Sequence, residues 1–310
     1  MTLSIVNKVS RNANTVVRTA DMSVIRIYTD VFRYPMARLI ILGTGGGRHT
    51  AMFQARSTGG FILDTGKCRI HMDPGPGALT GMRTIGYDLR STDAVLVSHC
   101  HPDHYSDAEV AVEGMTYGGW RKRGMLCGSV SVMEGYGGLG PCISPYHQSL
   151  PEERKTLRPG DELEFPGVKI KITKSDHGDP TTVGFRCETE DGILSYVTDT
   201  AYSDEMAEQY IGSKVVLLPI TTPDGNRIRG HMCTEDAKTF LEVVKPELAV
   251  FIHLGIVILK VGADLQAASV AEATGVKTLS GEDLTELNLD NLEIKHIEPM
   301  KSEWNDAWNL

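Results

Sequence analysis

From residue 38 onward, short apolar runs alternate with clusters of glycine, proline and polar residues. Residues 39–42, 59–63, 69–72 and 94–98 have the length and composition of strands. Runs this short, bounded by turn residues, predict strands rather than helices. The second and third of them predict a hairpin pair, followed by the turn Asp73-Pro74-Gly75-Pro76-Gly77. A later group of runs covers residues 161–165, 168–174, 183–188, 193–198, 215–220 and 248–252. Residues 106–115, 234–244 and 263–273 carry helical patterns, and Thr234 with Glu235 and Asp236 gives the second a polar, acidic first turn. Residues 117–147 are rich in glycine and predict an irregular insert. Two successive groups of strands with interspersed helices predict an α/β fold, with two sheets covered by helices on their outer faces.

Composition narrows the classes without naming one. The 310 residues are 41% hydrophobic and 23% charged, ordinary for a globular chain with a proper core. No apolar stretch reaches the roughly 18 residues expected of a membrane span. The formal charge of −9 argues against a general electrostatic footprint for nucleic acid. Six cysteines are scattered without a Cys-x-x-Cys pair, the pattern of reduced thiols in a cytoplasmic protein. Residues 1–35 are basic and poor in acids. They are expected to be an N-terminal extension to a catalytic domain over 36–300, with 301–310 as a tail.

The chemistry is concentrated at Ser98-His99-Cys100-His101-Pro102-Asp103-His104, which directly follows the apolar run Ala94-Val95-Leu96-Val97. On an extended strand end alternate residues share a face, so His99 and His101 can reach one ion together. The turn at Pro102 carries Asp103 and His104 to another side, which suggests two adjacent ions. Cys100 should point away from both histidines and is expected to be a small buried thiol. Two ions need further ligands, and rigid strand ends position ligands well. His177, Asp199 and His253 each follow an apolar strand-like run.

In this order the residues resemble the metallo-β-lactamase superfamily of metal-dependent hydrolases, over about residues 38 to 290. The resemblance implies an αββα sandwich of two mixed sheets with the ligands at one edge. It further implies that His99, His101 and His177 hold one ion, that Asp103, His104 and His253 hold the other, and that Asp199 bridges them. Asp73 matches the family's upstream acidic position, where a carboxylate orients a ligand imidazole. Imidazole and carboxylate donors suit Zn²⁺ and tolerate Mn²⁺ or Fe²⁺. Two ions about 3.5–4 Å apart bind phosphoryl or carbonyl oxygens and acidify a shared water, so a metal-bound hydroxide is the expected nucleophile.

His231, in Gly230-His231-Met232-Cys233-Thr234, points to a branch. Its spacing resembles the phosphodiesterase branch, which includes RNase Z and the cyclic phosphodiesterase of the carbon–phosphorus lyase pathway. There a histidine contacts the phosphate or protonates the leaving oxygen. His231, Asp73 and Asp103 are therefore the expected catalytic residues. The loop Gly43-Thr44-Gly45-Gly46-Gly47 lacks the glycine that a dinucleotide fingerprint needs at Arg48, and instead leaves Arg48 and His49 available to an anionic substrate. The long basic arm of RNase Z relatives has no clear equivalent, and Trp120-Arg121-Lys122-Arg123 reads as a solvated loop. The expected activity is hydrolysis of a small or cyclic phosphodiester by a cytoplasmic enzyme, with a homodimer possible. An RNase Z-like endoribonuclease, a thioester or lactone hydrolase of the glyoxalase II type, and a non-catalytic nucleic-acid-binding module are the alternatives.

Overall fold

The computed structural model of the chain describes residues 36–300, so the expectations for 1–35 and 301–310 lie outside the described residues. One sheet contains β1 (Arg38–Ile41), β2 (Phe61–Asp64), β3 (Arg69–Met72), β4 (Ala94–Val97), β5 (Met125–Ser129) and β6 (Glu153–Leu157), with β15 (Thr285–Asn288) and β16 (Ile294–His296) returning beside β1. The other contains β7 (Glu162–Phe165), β8 (Val168–Lys174), β9 (Val183–Thr189), β10 (Gly192–Tyr196), β11 (Val215–Thr222), β13 (Leu248–Ile252) and β14 (Thr278–Ser280). The short β12 (Met232–Cys233) pairs with β11.

Each sheet is part antiparallel and part parallel. β1, β2 and β3 run antiparallel, whereas β3, β4, β5 and β6 are parallel neighbours. In the second sheet β7 to β10 are antiparallel, and β10, β11, β13 and β14 are parallel. Parallel neighbours need crossovers, and helices Ala108–Met115, Thr234–Val244 and Ala263–Thr274 supply three of them. Strands covered on both faces read as unbroken apolar runs, and β4 and β13 do. Leu96 and Val250 point between the sheets, into a core with Leu39, Phe61, Phe185 and Tyr196. Val95 and Val97 instead meet Val112 and Met115 of the first crossover helix, and Phe251 meets Phe240 of the second. The result is the αββα sandwich of mixed sheets. Among the described residues, no helix is long and apolar enough to cross a membrane.

Residues 117–147 differ from the expected irregular insert, because they contain β5, an interior strand of the first sheet. Its run Met125-Leu126-Cys127-Gly128-Ser129 is broken by glycine and follows a glycine-rich stretch, which conceals it. β6 is almost wholly polar, as befits an edge strand, and hydrophobic patterning does not detect it. The expected helix over 106–115 is divided: a single turn, Pro102–Tyr105, precedes a helix that begins only at Ala108.

Candidate metal centre

β8, β10 and β13 share one direction in the second sheet, and the expected ligands lie just beyond their ends and that of β4, at one edge of the sandwich. His99 and His101 follow β4 in extended backbone, and Pro102 then opens the helical turn that holds Asp103 and His104. His177, Asp199 and His253 follow β8, β10 and β13 of the facing sheet. Donor atoms of His99, His101, His177 and Asp199 lie within 4.8 Å of one another. A second group joins Asp103, His104 and His253 within the same limit, and a third joins Asp199, His231 and His253.

Asp199 connects the groups. Its Oδ2 lies 3.1 Å from His253 Nε2, 3.5 Å from His104 Nε2, 3.7 Å from His177 Nε2 and 3.8 Å from His99 Nε2. Asp103 Oδ2 is 3.3 Å from His253 Nε2 and accepts a hydrogen bond from Gly47 N–H at 2.7 Å. On the other side, His101 Nδ1 approaches His99 Nε2 at 3.1 Å and His177 Nε2 at 2.9 Å. Three imidazole nitrogens converging this closely approach the roughly 3.3 Å separation of nitrogens around a tetrahedral Zn²⁺ at about 2.0 Å.

The outward nitrogens of His99, His104, His177 and His253 are held by the protein, which determines which nitrogen each of these rings turns inward. His104 Nδ1–H donates to Asp73 Oδ2 at 2.8 Å, and His177 Nδ1–H donates to the Gly230 carbonyl at 2.8 Å. His253 Nδ1 lies 3.0 Å from Thr221 Oγ1. Ser98 Oγ donates to Asp73 Oδ2 at 2.6 Å, so at 3.0 Å from His99 Nδ1 it is left to accept that ring's proton. Asp73 also accepts from Ser98 N–H at 2.7 Å and from Tyr196 Oη at 2.6 Å, and it sits in left-handed backbone at φ 52°. One buried carboxylate thus orients an imidazole in each group, directly for His104 and through Ser98 for His99. Ser98, Tyr196, Thr221 and Gly230 were not singled out by the sequence as orienting groups. They are common residue types: Ser98 adjoins His99 and Gly230 adjoins His231, whereas Tyr196 and Thr221 carry no such signal.

Whether these residues fit divalent cations can be judged from the buried polar atoms. His104 Nε2, His253 Nε2 and Asp199 Oδ1 are buried without a hydrogen-bond partner, and all belong to the cluster. Burial opposes ionisation of Asp103 and Asp199, yet the neighbouring His104 and His253 hold both carboxyls well below the ordinary range. In turn, and against their own burial, those two imidazoles are pushed toward imidazolium by the carboxylates, His253 to about 9. His99 and His101 are driven toward the neutral form, by burial first and by neighbouring imidazoles second. Two buried carboxylates that demand positive charge, with neutral imidazoles beside them, form a donor set suited to divalent cations. Removing the protons of His104 and His253 in favour of such cations would satisfy the same demand.

The expected ligands and both remaining catalytic candidates, Asp73 and His231, are therefore brought together. His231 stacks on His253 at 5.4 Å between ring centres, and its Nδ1 lies 3.8 Å from Asp199 Oδ2. Arg48 and His49 are exposed immediately after the glycine loop. Cys100 is buried against the outer helix layer, away from the donors, as expected of a structural thiol. Trp120–Arg123 lies at the other end of the sheet: it precedes β5, and Arg123 pairs at 2.6 Å with Asp93, which precedes β4.

The model of a family described as "Beta-lactamase superfamily domain" matches residues 68–254. The uncharacterized protein MJ1374 of Methanocaldococcus jannaschii is 38% identical over 243 residues, which covers 78% of this chain and 91% of that protein. A ribonuclease Z of Clostridium botulinum is 29% identical over 156 residues, covering 50% of this chain and 44% of the ribonuclease. Among solved structures, the metallo-beta-lactamase fold protein YhfI of Bacillus subtilis is similar at a TM-score of 0.66 and 18% identity, covering 80% of this chain and 96% of YhfI, a likeness of fold. With sandwich, donor cluster and family match in agreement, the chain belongs to the beta-lactamase superfamily domain family and is a metal-dependent hydrolase of the metallo-β-lactamase fold.

Proposed function

We propose that this hydrolase cleaves phosphodiesters at a two-ion centre. His99, His101 and His177 would hold one ion, Asp103, His104 and His253 the other, and Asp199 would lie between them. Bound divalent ions, Zn²⁺ foremost and Mn²⁺ or Fe²⁺ by the same donors, supply Lewis acidity toward phosphoryl oxygens and lower the pKa of water. The chain's own residues do the rest. Asp73, Ser98, Gly230 and Thr221 fix the imidazoles, and His231 serves the leaving oxygen.

The observation that carries this reading is a short relay through Thr221. Its Oγ1 lies 3.0 Å from His253 Nδ1 and 3.3 Å from His231 Nδ1. If His253 turns Nε2 toward the ion, its Nδ1–H must donate to Thr221. The Thr221 hydroxyl then has its own proton for His231 Nδ1, and His231 is left with its proton on Nε2. Burial holds His231 neutral, with its pKa pushed down to about 4. The sequence suggested a histidine that either contacts phosphate or protonates the leaving group. A neutral imidazole fits a fixed N–H donor to the leaving oxygen, which stabilises the charge developing there. Expulsion of an alkoxide from phosphorus benefits from such a donor. The kinship with ribonuclease Z supports phosphodiester chemistry. A small substrate is favoured over a long RNA because the exposed aromatic and basic cluster at Trp120–Arg123 lies at the far end of the sheet from the donors.

The test compares turnover of bis-p-nitrophenyl phosphate with that of a thioester and a lactone by metal-quantified protein. The diester should be preferred. His231→Ala should lower kcat about a hundredfold while metal content is retained. Thr221→Val should lower it about tenfold, and Thr221→Ser should restore most of the loss. Preference for the thioester or lactone, or full diesterase activity in His231→Ala, would overturn the proposal.

A further inference from the structure

Of the exposed arginines with no side-chain ion pair or hydrogen bond among the described residues, Arg48 and Arg229 are the two that adjoin the donor cluster in sequence, Arg48 beside the glycine loop and Arg229 two residues before His231. Both adjoin the same feature, the stacked rings of His253 and His231. Gly46 lies flat against the ring of His253, so close that a Cβ there would fall 2.1 Å from its Cγ and Cδ2. Gly47 N–H is bonded to Asp103, and above Gly47 the nearest atom to a Cβ position is Thr221 Cγ2 at 4.0 Å. Arg48 follows directly. Across the His253–His231 stack, Gly230 caps His177 through its carbonyl, and Arg229 directly precedes it. Arg48 is two residues from Gly46, and Arg229 two from His231. Each backbone is therefore within about 7 Å of the residue that touches or forms the stack.

Charge is segregated around this mouth. Residues 43–57 contain Arg48, His49 and Arg56 and no acidic residue, in a chain with 40 Asp and Glu among 310 residues. At that frequency about two acids would be expected in fifteen positions. In the loop that bears Arg229, Asp224 is paired with Lys238, while Arg227 is held by Glu235 and Asp236. Those contacts anchor the loop to helix Thr234–Val244 and leave Arg229 as its unpaired cation. An acidic protein that keeps unpaired guanidinium groups on two loops bordering its site focuses anions there. The scissile phosphate is served by the ions and by His231. Guanidinium groups outside the donors therefore meet what is attached to it, and their forked geometry suits a terminal phosphate.

Resting on the phosphodiesterase reading, we infer that Arg48 and Arg229 select substrates that carry a second, terminal phosphate besides the diester to be cleaved. A matched pair of substrates tests this: the p-nitrophenyl ester of thymidine 5′-phosphate, with and without a 3′-phosphate. The metal-loaded enzyme should prefer the 3′-phosphorylated ester at least tenfold in kcat/KM at low salt, and salt should erode the preference. Arg48→Ala and Arg229→Ala should each reduce the ratio, and the double variant should bring it close to one. By calorimetry, the same variants should bind thymidine 3′,5′-bisphosphate more weakly, with a smaller change for thymidine 5′-phosphate. If the wild type cleaves both esters with equal kcat/KM, or the double variant keeps the ratio, the two arginines are not selecting a terminal phosphate and the diesterase reading stands. If neither ester is cleaved and the bisphosphate does not bind, both readings fall.

Discussion

His71 shows how an ordinary histidine can govern acid stability in a protein whose histidines are mostly at its active site. It lies on β3 and is fully buried. Its Nε2–H donates to the Gly59 carbonyl at 3.0 Å, and its Nδ1 has no hydrogen-bond partner. Burial pushes its pKa from 6.5 down to about 4. Because the folded value is the lower one, His71 contributes stability that is complete above the unfolded pKa near 6.5. That contribution is lost as pH falls toward 4. The difference corresponds to about 3 kcal/mol. Asp103 and Asp199, with depressed values, lose their contributions only below the ordinary carboxylate range. His99, His101 and His231 are also depressed, so their contributions too decline as pH falls below 6.5. The decisive measurement is therefore a difference: urea midpoints of wild type and His71→Gln between pH 7 and 4. The variant, which keeps a side-chain donor for Gly59, should show the shallower decline. Parallel curves would mean that His71 is not the buried neutral group described.

The glycine loop after β1 and the ligand loop after β13 are interlocked. Leu254 N–H donates to the Thr44 carbonyl at 2.8 Å, and Gly46 N–H donates back to Leu254 at 3.3 Å. His253 itself adopts left-handed backbone at φ 52°, with Thr221 beside its Nδ1 and Asp103 and Asp199 near its Nε2. A methyl group at Gly46 would overlap a ring with no room to turn. Gly46→Ala should cost about 1–3 kcal/mol in overpacking and, under the proposed two-ion reading, should lower metal content from about two ions per chain to about one. Metal analysis alongside thermal melts would detect both effects, and a variant with two ions and wild-type stability would contradict this packing. The same pair of loops marks the limit of sequence reading. The ligands were legible because each ends an apolar run, where a polar residue needs a reason. So were β3, β8, β13 and helix Thr234–Val244, whose patterns are unbroken. β5, interrupted by glycine, and β6, a polar edge, carried no such contrast. The contacts of Gly46 with His253 and of Tyr196 with Asp73 arise only when the two halves of the chain meet, and those of Ser98 and Thr221 only when their own half has folded.

The donor cluster is also where the two sheets share their charge. Four donors, His99, His101, Asp103 and His104, follow β4 of the first sheet, whereas His177, Asp199 and His253 follow strands of the second. Ions bound by both sets, as proposed, would stabilise the native state over the unfolded chain, by about 2.7 kcal/mol at a hundred times Kd. Chelation should therefore lower Tm by roughly 5–10 °C in a domain of this size. The pH dependence should change as well, with a sign that identifies the source. In chelated protein, His104 and His253 take up the positive charge that Asp103 and Asp199 require, and their folded pKa values are raised, that of His253 to about 9. A raised value contributes stability that is complete below the unfolded pKa of about 6.5 and is lost as pH rises through 9. Chelated protein should thus melt at progressively lower temperature from pH 6.5 to 9. Metal-loaded protein, whose ligand imidazoles are neutral throughout, should hold nearly constant over the same interval, because above about 6.5 the unfolded chain has few of these protons left to lose. Melting curves of the two forms across that interval should diverge with rising pH; curves that stay parallel would remove the cluster's claim to bind metal across both sheets.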